Sequence, residues 1–138
     1  MALKLSELKA KTSAVAIDVI HPLTEDVLYD EDGKTKVQAF LVGSASSEYR
    51  DFEKKKAQKQ LDRLADGKRS KNILTVDSLY KDSLDKAVVC TKKITVLTTD
   101  DNKPLDNPDA IREVLADVQN EWLLNFLLVE IDKNSNFF

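Results

Sequence analysis

Residues 15–19 read Val15-Ala16-Ile17-Asp18-Val19, and residues 37–42 read Val37-Gln38-Ala39-Phe40-Leu41-Val42. In the first run, large apolar side chains alternate with small or polar ones, the period of a strand with one face buried. His21-Pro22 closes that run, because proline has no amide hydrogen to continue a ladder. Val27-Leu28-Tyr29 and the 37–42 run flank Asp30-Glu31-Asp32-Gly33, a turn-rich loop in which Gly33 is free to take a positive φ. That arrangement predicts a hairpin, so two or three antiparallel strands are expected first. Before them, Leu3 to Leu8 is short and amphipathic and is read as one or two helical turns.

The period then changes. Ser44 to Ser47 offers helix-capping hydroxyls, and Tyr49, Phe52, Ala57, Leu61, Leu64 and Ala65 follow at helical spacing. Gly67 is the expected stop and Thr75 the expected cap of a second helix. That second helix carries Val76, Leu79, Tyr80, Leu84, Ala87 and Val88 on one face, with Asp77–Lys81 and Asp82–Lys86 as i,i+4 pairs. Ile94 to Thr98 reads as a further short strand, and Thr99 to Pro104 as a turn. Asn107 before Pro108 is a strong helix start: a capping side chain, then proline at the first helical position. The predicted fold is α+β, a small antiparallel sheet of three to four strands packed with three to four helices, in one domain over 1–138.

Ile111, Val114, Leu115 and Val118 form one stripe of the last helical region, which the pattern leaves open as one helix or two. Beyond it, Trp122, Leu123, Leu124, Phe126, Leu127, Leu128, Val129 and Ile131 are apolar on almost every side. Such a helix must be covered all round. It is either the central core helix or partly covered by another subunit or partner, and the two are compatible. Trp122, Leu123, Phe126, Leu127 and Ile131 are therefore the candidate self-association or partner-binding residues.

Length and composition exclude several classes. With 138 residues, 42% apolar, 33% charged and only 3 Gly and 3 Pro, the chain has an ordinary globular composition. Its one cysteine, Cys90, has no partner for an internal disulfide, which favours a reducing compartment. No apolar run reads as a signal peptide or approaches the roughly 20 residues of a membrane helix. The net charge of -3 hides an uneven distribution. Residues 54–71 hold eight basic and two acidic side chains, whereas residues 99–138 hold three basic and nine acidic ones. The basic segment is either a solvated helix face or an electrostatic contact surface, with Lys54, Lys55 and Lys59 as its candidates. No aromatic-interleaved or groove-reading motif accompanies it, which weighs against nucleic acid.

Catalytic and metal constellations are not legible. His21 is the sole histidine, too few for a histidine-based metal site, and Cys90 lies among Val88, Val89 and Thr91 as a small hydrophobe does. Asp30 to Gly33 fails as a calcium loop, since aligning Gly33 to the sixth position puts Leu28 at the first and Ala39 at the twelfth. There is no P-loop, dinucleotide fingerprint or CxxC. No enzyme, cofactor or metal is expected.

Three features carry a resemblance. A strand-rich start is followed by Ser46-Ser47-Glu48-Tyr49-Arg50, opening a long basic helix. A turn precedes Lys103-Pro104-Leu105, and Asn107-Pro108-Asp109-Ala110-Ile111 begins a helix ending near Leu115. Glu121-Trp122-Leu123 then runs to Asp132-Lys133-Asn134-Ser135-Asn136-Phe137. In these the chain resembles the small tail assembly chaperones of long-tailed bacteriophages. The resemblance implies a non-catalytic protein of the host cytoplasm that binds the tape measure protein, keeps it soluble before the tail tube polymerises, and is absent from the finished virion. It also implies self-association, and a longer product made by ribosomal frameshifting that recruits the tail tube protein, this chain corresponding to the short form. Two alternatives stand beside it: nucleic-acid binding through basic helix 54–71, and a structural tail or connector component of the phage.

Overall fold

The computed structural model describes residues 2–65 and 76–138. Four strands, β1 (Val15–Asp18), β2 (Gln38–Leu41), β3 (Thr91–Thr98) and β4 (Pro104–Leu105), form one antiparallel sheet in chain order. Four helices accompany it: α1 (Ser47–Ala65), α2 (Val76–Cys90), α3 (Pro108–Ala116) and α4 (Glu121–Ile131). The α+β architecture is the expected one. Short 3-10 turns lie at Leu5–Leu8, Val118–Asn120 and Asn134–Phe137.

The register explains the one-sided sheet. Ile17 pairs with Ala39, Ala39 with Ile94, and Ile94 with Leu105, so one row of apolar side chains crosses all four strands. Ala39, Ile94 and Leu105 are buried in that row, and Ile17 packs against the same core. On the opposite face Ala16, Phe40 and Lys93 align, with the Lys93 ammonium 4.5 Å from the Phe40 ring centre. A sheet with one face packed and the other solvated reads as alternating sequence, as residues 15–19 do. Helices α2, α3 and α4 cover the packed face; Ala87, Ile111, Leu115, Leu123, Leu127 and Ile131 complete the core with Val19 and Leu41.

The predicted strand at 27–29 is replaced by isolated bridges. Val19 N–H donates to the Val37 carbonyl, Val37 N–H to that of Leu28, and Leu28 N–H to that of Val19, a closed three-way junction. Beyond it the Ile20–Val27 and Tyr29–Lys36 bridges extend the pairing, with the His21 amide donating to the Asp26 carbonyl and the Asp30 amide to that of Thr35. The turn itself forms as expected: Gly33 takes φ +68° and the Asp30 carboxylate accepts the Lys34 and Thr35 amides at 2.9 and 3.3 Å. β3 begins at Thr91, earlier than the apolar run suggested, and is bulged around Val96, whose φ is +71°.

Helix boundaries follow capping chemistry. The buried Ser46 hydroxyl accepts the Tyr49 amide at 3.2 Å and donates to the Gly43 carbonyl at 2.6 Å, starting α1. Asn107 Oδ1 accepts the Ala110 amide at 2.9 Å, with Pro108 next, starting α3. Residues 108–132 are two helices. Asp117 is extended, and its carboxylate accepts the Gln119 amide at 2.9 Å while Asn120 Nδ2 donates to the Val114 carbonyl at 2.9 Å. These side chains satisfy backbone groups that a continuous helix would use. Gly67 and Thr75, the expected stop and cap, lie outside the described residues.

One predicted stripe splits. At about 100° per residue, Phe52 and Leu61 lie about 180° apart on α1. Tyr49 and Phe52 are half-buried, whereas Ala57, Leu61, Leu64 and Ala65 are exposed. The principal neighbour of α1 is α2, which covers only the Phe52 side. The seam of α2 likewise outruns the core: Leu84, Ala87 and Val88 are buried, but Val76, Leu79 and Tyr80 are exposed. The far halves of α1 and α2 thus carry apolar side chains that no other described element covers.

Candidate functional site

Helix α4 decides which candidate residues a partner can meet. Leu123, Leu124, Leu127 and Ile131 project into the core and are 3% exposed or less. Three of the five candidates, Leu123, Leu127 and Ile131, are therefore subunit core, and their side chains offer nothing to a second molecule. Their spacing places them on one side of the helix, within an arc of about 100°. Trp122, Phe126 and Val129 occupy another, at i, i+4 and i+7. Trp122 and Phe126 pack partly against the core, and Val129 is 65% exposed. Val129 was not singled out from the sequence, although the i+7 position from Trp122 marks it.

Trp122 also faces a cleft of about 430 Å³ between the β3–β4 turn, the end of α3 and the start of α4. Asp100, Asp101, Glu113 and Asp117 line it, with Val114 and Trp122 among its apolar contacts. All four carboxylates are exposed, none forms an ion pair with a described residue, and no lysine or arginine among the described residues lines the cleft. The turn that presents Asp100 and Asp101 is set by Asn102 at φ +62° and by the Thr99 hydroxyl accepting the Lys103 amide at 3.1 Å.

The basic candidates sit elsewhere. Lys54, Lys55 and Lys59 are exposed on α1 and make no ion pair with a described residue. Lys55 and Lys59 border a smaller crevice of about 250 Å³ with Phe52, Asp82 and the Arg112–Asp85 pair, whose N···O distance is 2.8 Å. Carboxylates inside this crevice reduce its attraction for a phosphate.

The remaining polar cluster is a clamp. Lys86 of α2 lies 2.8 and 3.0 Å from the two carboxylate oxygens of Asp132, just past α4, and Tyr49 of α1 donates its hydroxyl to Asp132 at 2.9 Å. Lys86 also stands 4.8 Å from the Tyr49 ring centre. Burial raises the Tyr49 pKa, keeping its proton on. Burial opposes the Lys86 charge, but hydrogen bonds to Asp132 and Tyr49 outweigh it and leave that pKa raised as well. A base or nucleophile needs the opposite shifts. Cys90, fully buried, is pushed up to about 12 by desolvation, so its thiol stays protonated.

His21 Nδ1 accepts the Leu23 and Thr24 amides at 3.1 and 3.3 Å, a local turn contact. Among the described residues no three His, Cys, Asp or Glu side chains converge as metal ligands do, and no helix is long and apolar enough to cross a membrane. What the α4 stripe and the cleft offer is an amphipathic surface with an aromatic at its junction. No protein-family model, curated protein or solved structure matches the chain.

Proposed function

We propose that this chain is a non-catalytic tail assembly chaperone of a long-tailed bacteriophage, which binds the tape measure protein in the host cytoplasm and keeps it soluble until the tail tube polymerises. The resemblance at Ser46–Arg50, Lys103–Ile111 and Glu121–Phe137 supplies the identity of the partner. One structural observation supports the mode: the Trp122, Phe126 and Val129 stripe, at helical spacing, lies on the side of α4 away from Leu124 and Leu127. A partner helix with an apolar seam lays that seam on such a stripe, and aromatic anchors carry most of the energy. Many copies along one long helical partner convert weak contacts into avidity. The same reading includes self-association, recruitment of the tail tube protein through a longer frameshifted product, and absence from the finished virion.

Coexpression with the tape measure protein, with its soluble fraction as readout, tests this. Trp122→Ala and Phe126→Ala also lower subunit stability, because both rings pack partly against the core. Val129→Lys is the cleaner probe: at 65% exposure it should change unfolding free energy by no more than about 0.5 kcal/mol while abolishing solubilisation. A fully solubilising Val129→Lys, Trp122→Ala, Phe126→Ala triple variant would sink the proposal for this stripe.

The exposed, unpaired Lys54, Lys55 and Lys59 favour a second reading, nucleic-acid binding by the basic helix. It predicts affinity that falls steeply with salt as counterions are released. A structural tail component instead predicts the chain in purified particles.

A further inference from the structure

We propose that the Trp122 cleft is a socket for a basic side chain, arginine above all, carried at one end of the apolar seam of a helix laid on α4. A partner is then read for a cation at that end and is bound in one direction only. The inference rests on the reading of the Trp122, Phe126 and Val129 stripe as a helix-binding surface, but not on the identity of the partner.

The stripe and the cleft share Trp122. It stands at the N-terminal end of the stripe and lines the cleft of about 430 Å³, so a helix covering Phe126 and Val129 reaches the cleft with one further turn. Asp100 and Asp101 reach the cleft from the β3–β4 turn, Glu113 from α3 and Asp117 from its C-terminal cap. One Asp117 oxygen is engaged by the Gln119 amide at 2.9 Å, but none of the four carboxylates has a cation among the described residues. Lys103, on the same turn as Asp101, does not line the cleft. Like charges gathered at a concave, partly apolar surface focus the field and draw in a cation. Arginine fits best: its planar guanidinium stacks on an indole and forks to carboxylates, whereas lysine offers a point charge. Val114 and Trp122 cover the aliphatic stem.

The far end of the stripe differs in charge. There Asp132 is held by Lys86 and Tyr49, and Glu130 accepts from the Asn136 side chain at 2.6 Å, so both acids are engaged. Lys133, the residue that follows, is exposed and has no ion pair with a described residue. A cation at that end of a partner's seam meets Lys133, and a cation at the other end meets four carboxylates. The apolar side chains do not distinguish the two directions of a partner helix; the charges at the ends do.

Trp122 is the only tryptophan of the chain, so its fluorescence reports on the cleft directly. The purified chain is titrated with three synthetic helical peptides that share one leucine seam and lack tryptophan and tyrosine. One carries two arginines at its N-terminal end, one carries them at its C-terminal end, and one has glutamines in their place. A single arginine peptide should bind at least about fivefold tighter than the glutamine peptide, an advantage that shrinks as salt rises. Asp101→Asn with Glu113→Gln should remove the advantage and leave the affinity for the glutamine peptide unchanged. Glu31→Gln with Asp32→Asn removes the same charge from an exposed loop that does not line the cleft, and should preserve it. Circular dichroism confirms that each variant is folded. Equal binding of all three peptides would overturn the socket and leave the stripe reading standing. An equal gain from arginines at either end, or a gain lost in the loop variant, would overturn it in favour of bulk charge. Failure of every peptide to bind would overturn the stripe reading and the socket with it.

Discussion

Gly43 and Phe137 show how much of this fold hangs on single residues distant in sequence. The Phe137 ring is 3% exposed and lies so close to Gly43 that an added Cβ would meet ring atoms at 2.6 to 2.8 Å. Its carbonyl accepts the Lys11 amide at 2.6 Å, so the Asn134–Phe137 turn ties the approach to β1 to the end of β2. Gly43→Ala should cost roughly 1–3 kcal/mol by overpacking, and Phe137→Ala roughly 3–5 kcal/mol by leaving a void. Together they should cost less than the sum, since the new methyl enters the vacated space; urea unfolding of the four-member cycle measures the coupling. Additive losses would mean that the ring and the glycine are not in contact. Local pattern does not disclose this pair. Phe137 follows a polar stretch from Asp132 to Asn136, and nothing in the period of residues 38–42 indicates what will cover Gly43.

Tyr49, Lys86 and Asp132 tie α1, α2 and the end of α4 together, and the clamp gives the element scale a pH signature. Tyr49 and Lys86 have raised folded pKa values, so the stability they contribute is complete below their ordinary values of 10.0 and 10.5. It is lost as pH rises through the folded values. Asp132→Asn should lower stability near neutral pH by roughly 1–3 kcal/mol and make the alkaline loss shallower. Equal alkaline slopes in pH-dependent urea unfolding would contradict the clamp. On the acid side, the Gln38 hydrogen bond lowers the Asp18 pKa and the Lys92 hydrogen bond lowers that of Glu48. Their contribution is present above the ordinary carboxylate values of 3.8 and 4.5 and disappears as pH falls through the folded ones. Elements were legible where local chemistry decides them: the Gly33 turn, the Ser46 and Asn107 caps, and the alternation at residues 15–19. They were misread where tertiary context decides. The α1 stripe joined Phe52 to Leu61 although these face opposite ways, and the 27–29 run looks like a strand but serves as a junction. β4, only two residues long, has no period to read.

At the scale of the whole molecule, the fold closes a core but leaves apolar surface open, on the α4 stripe and the outer ends of α1 and α2 among other places. Composition does not locate these openings, because Leu127 and Val129 are both apolar in sequence and only the packing of α2, α3 and the sheet against one side of α4 separates them. The charge asymmetry was legible, but the cleft was not: Asp100 and Asp101 meet Glu113 and Asp117 only once β4 pairs with β3 and α3 folds back. The proposed chaperone role requires that these surfaces serve protein partners. Its most direct test is affinity capture of the tagged chain from cells expressing the genes that neighbour its own, with and without nuclease, read by mass spectrometry. The account predicts recovery of one very long helical protein, the tape measure protein, in both samples. Recovery of nucleic acid, with protein partners lost after nuclease, would contradict it and move the site to residues 54–71.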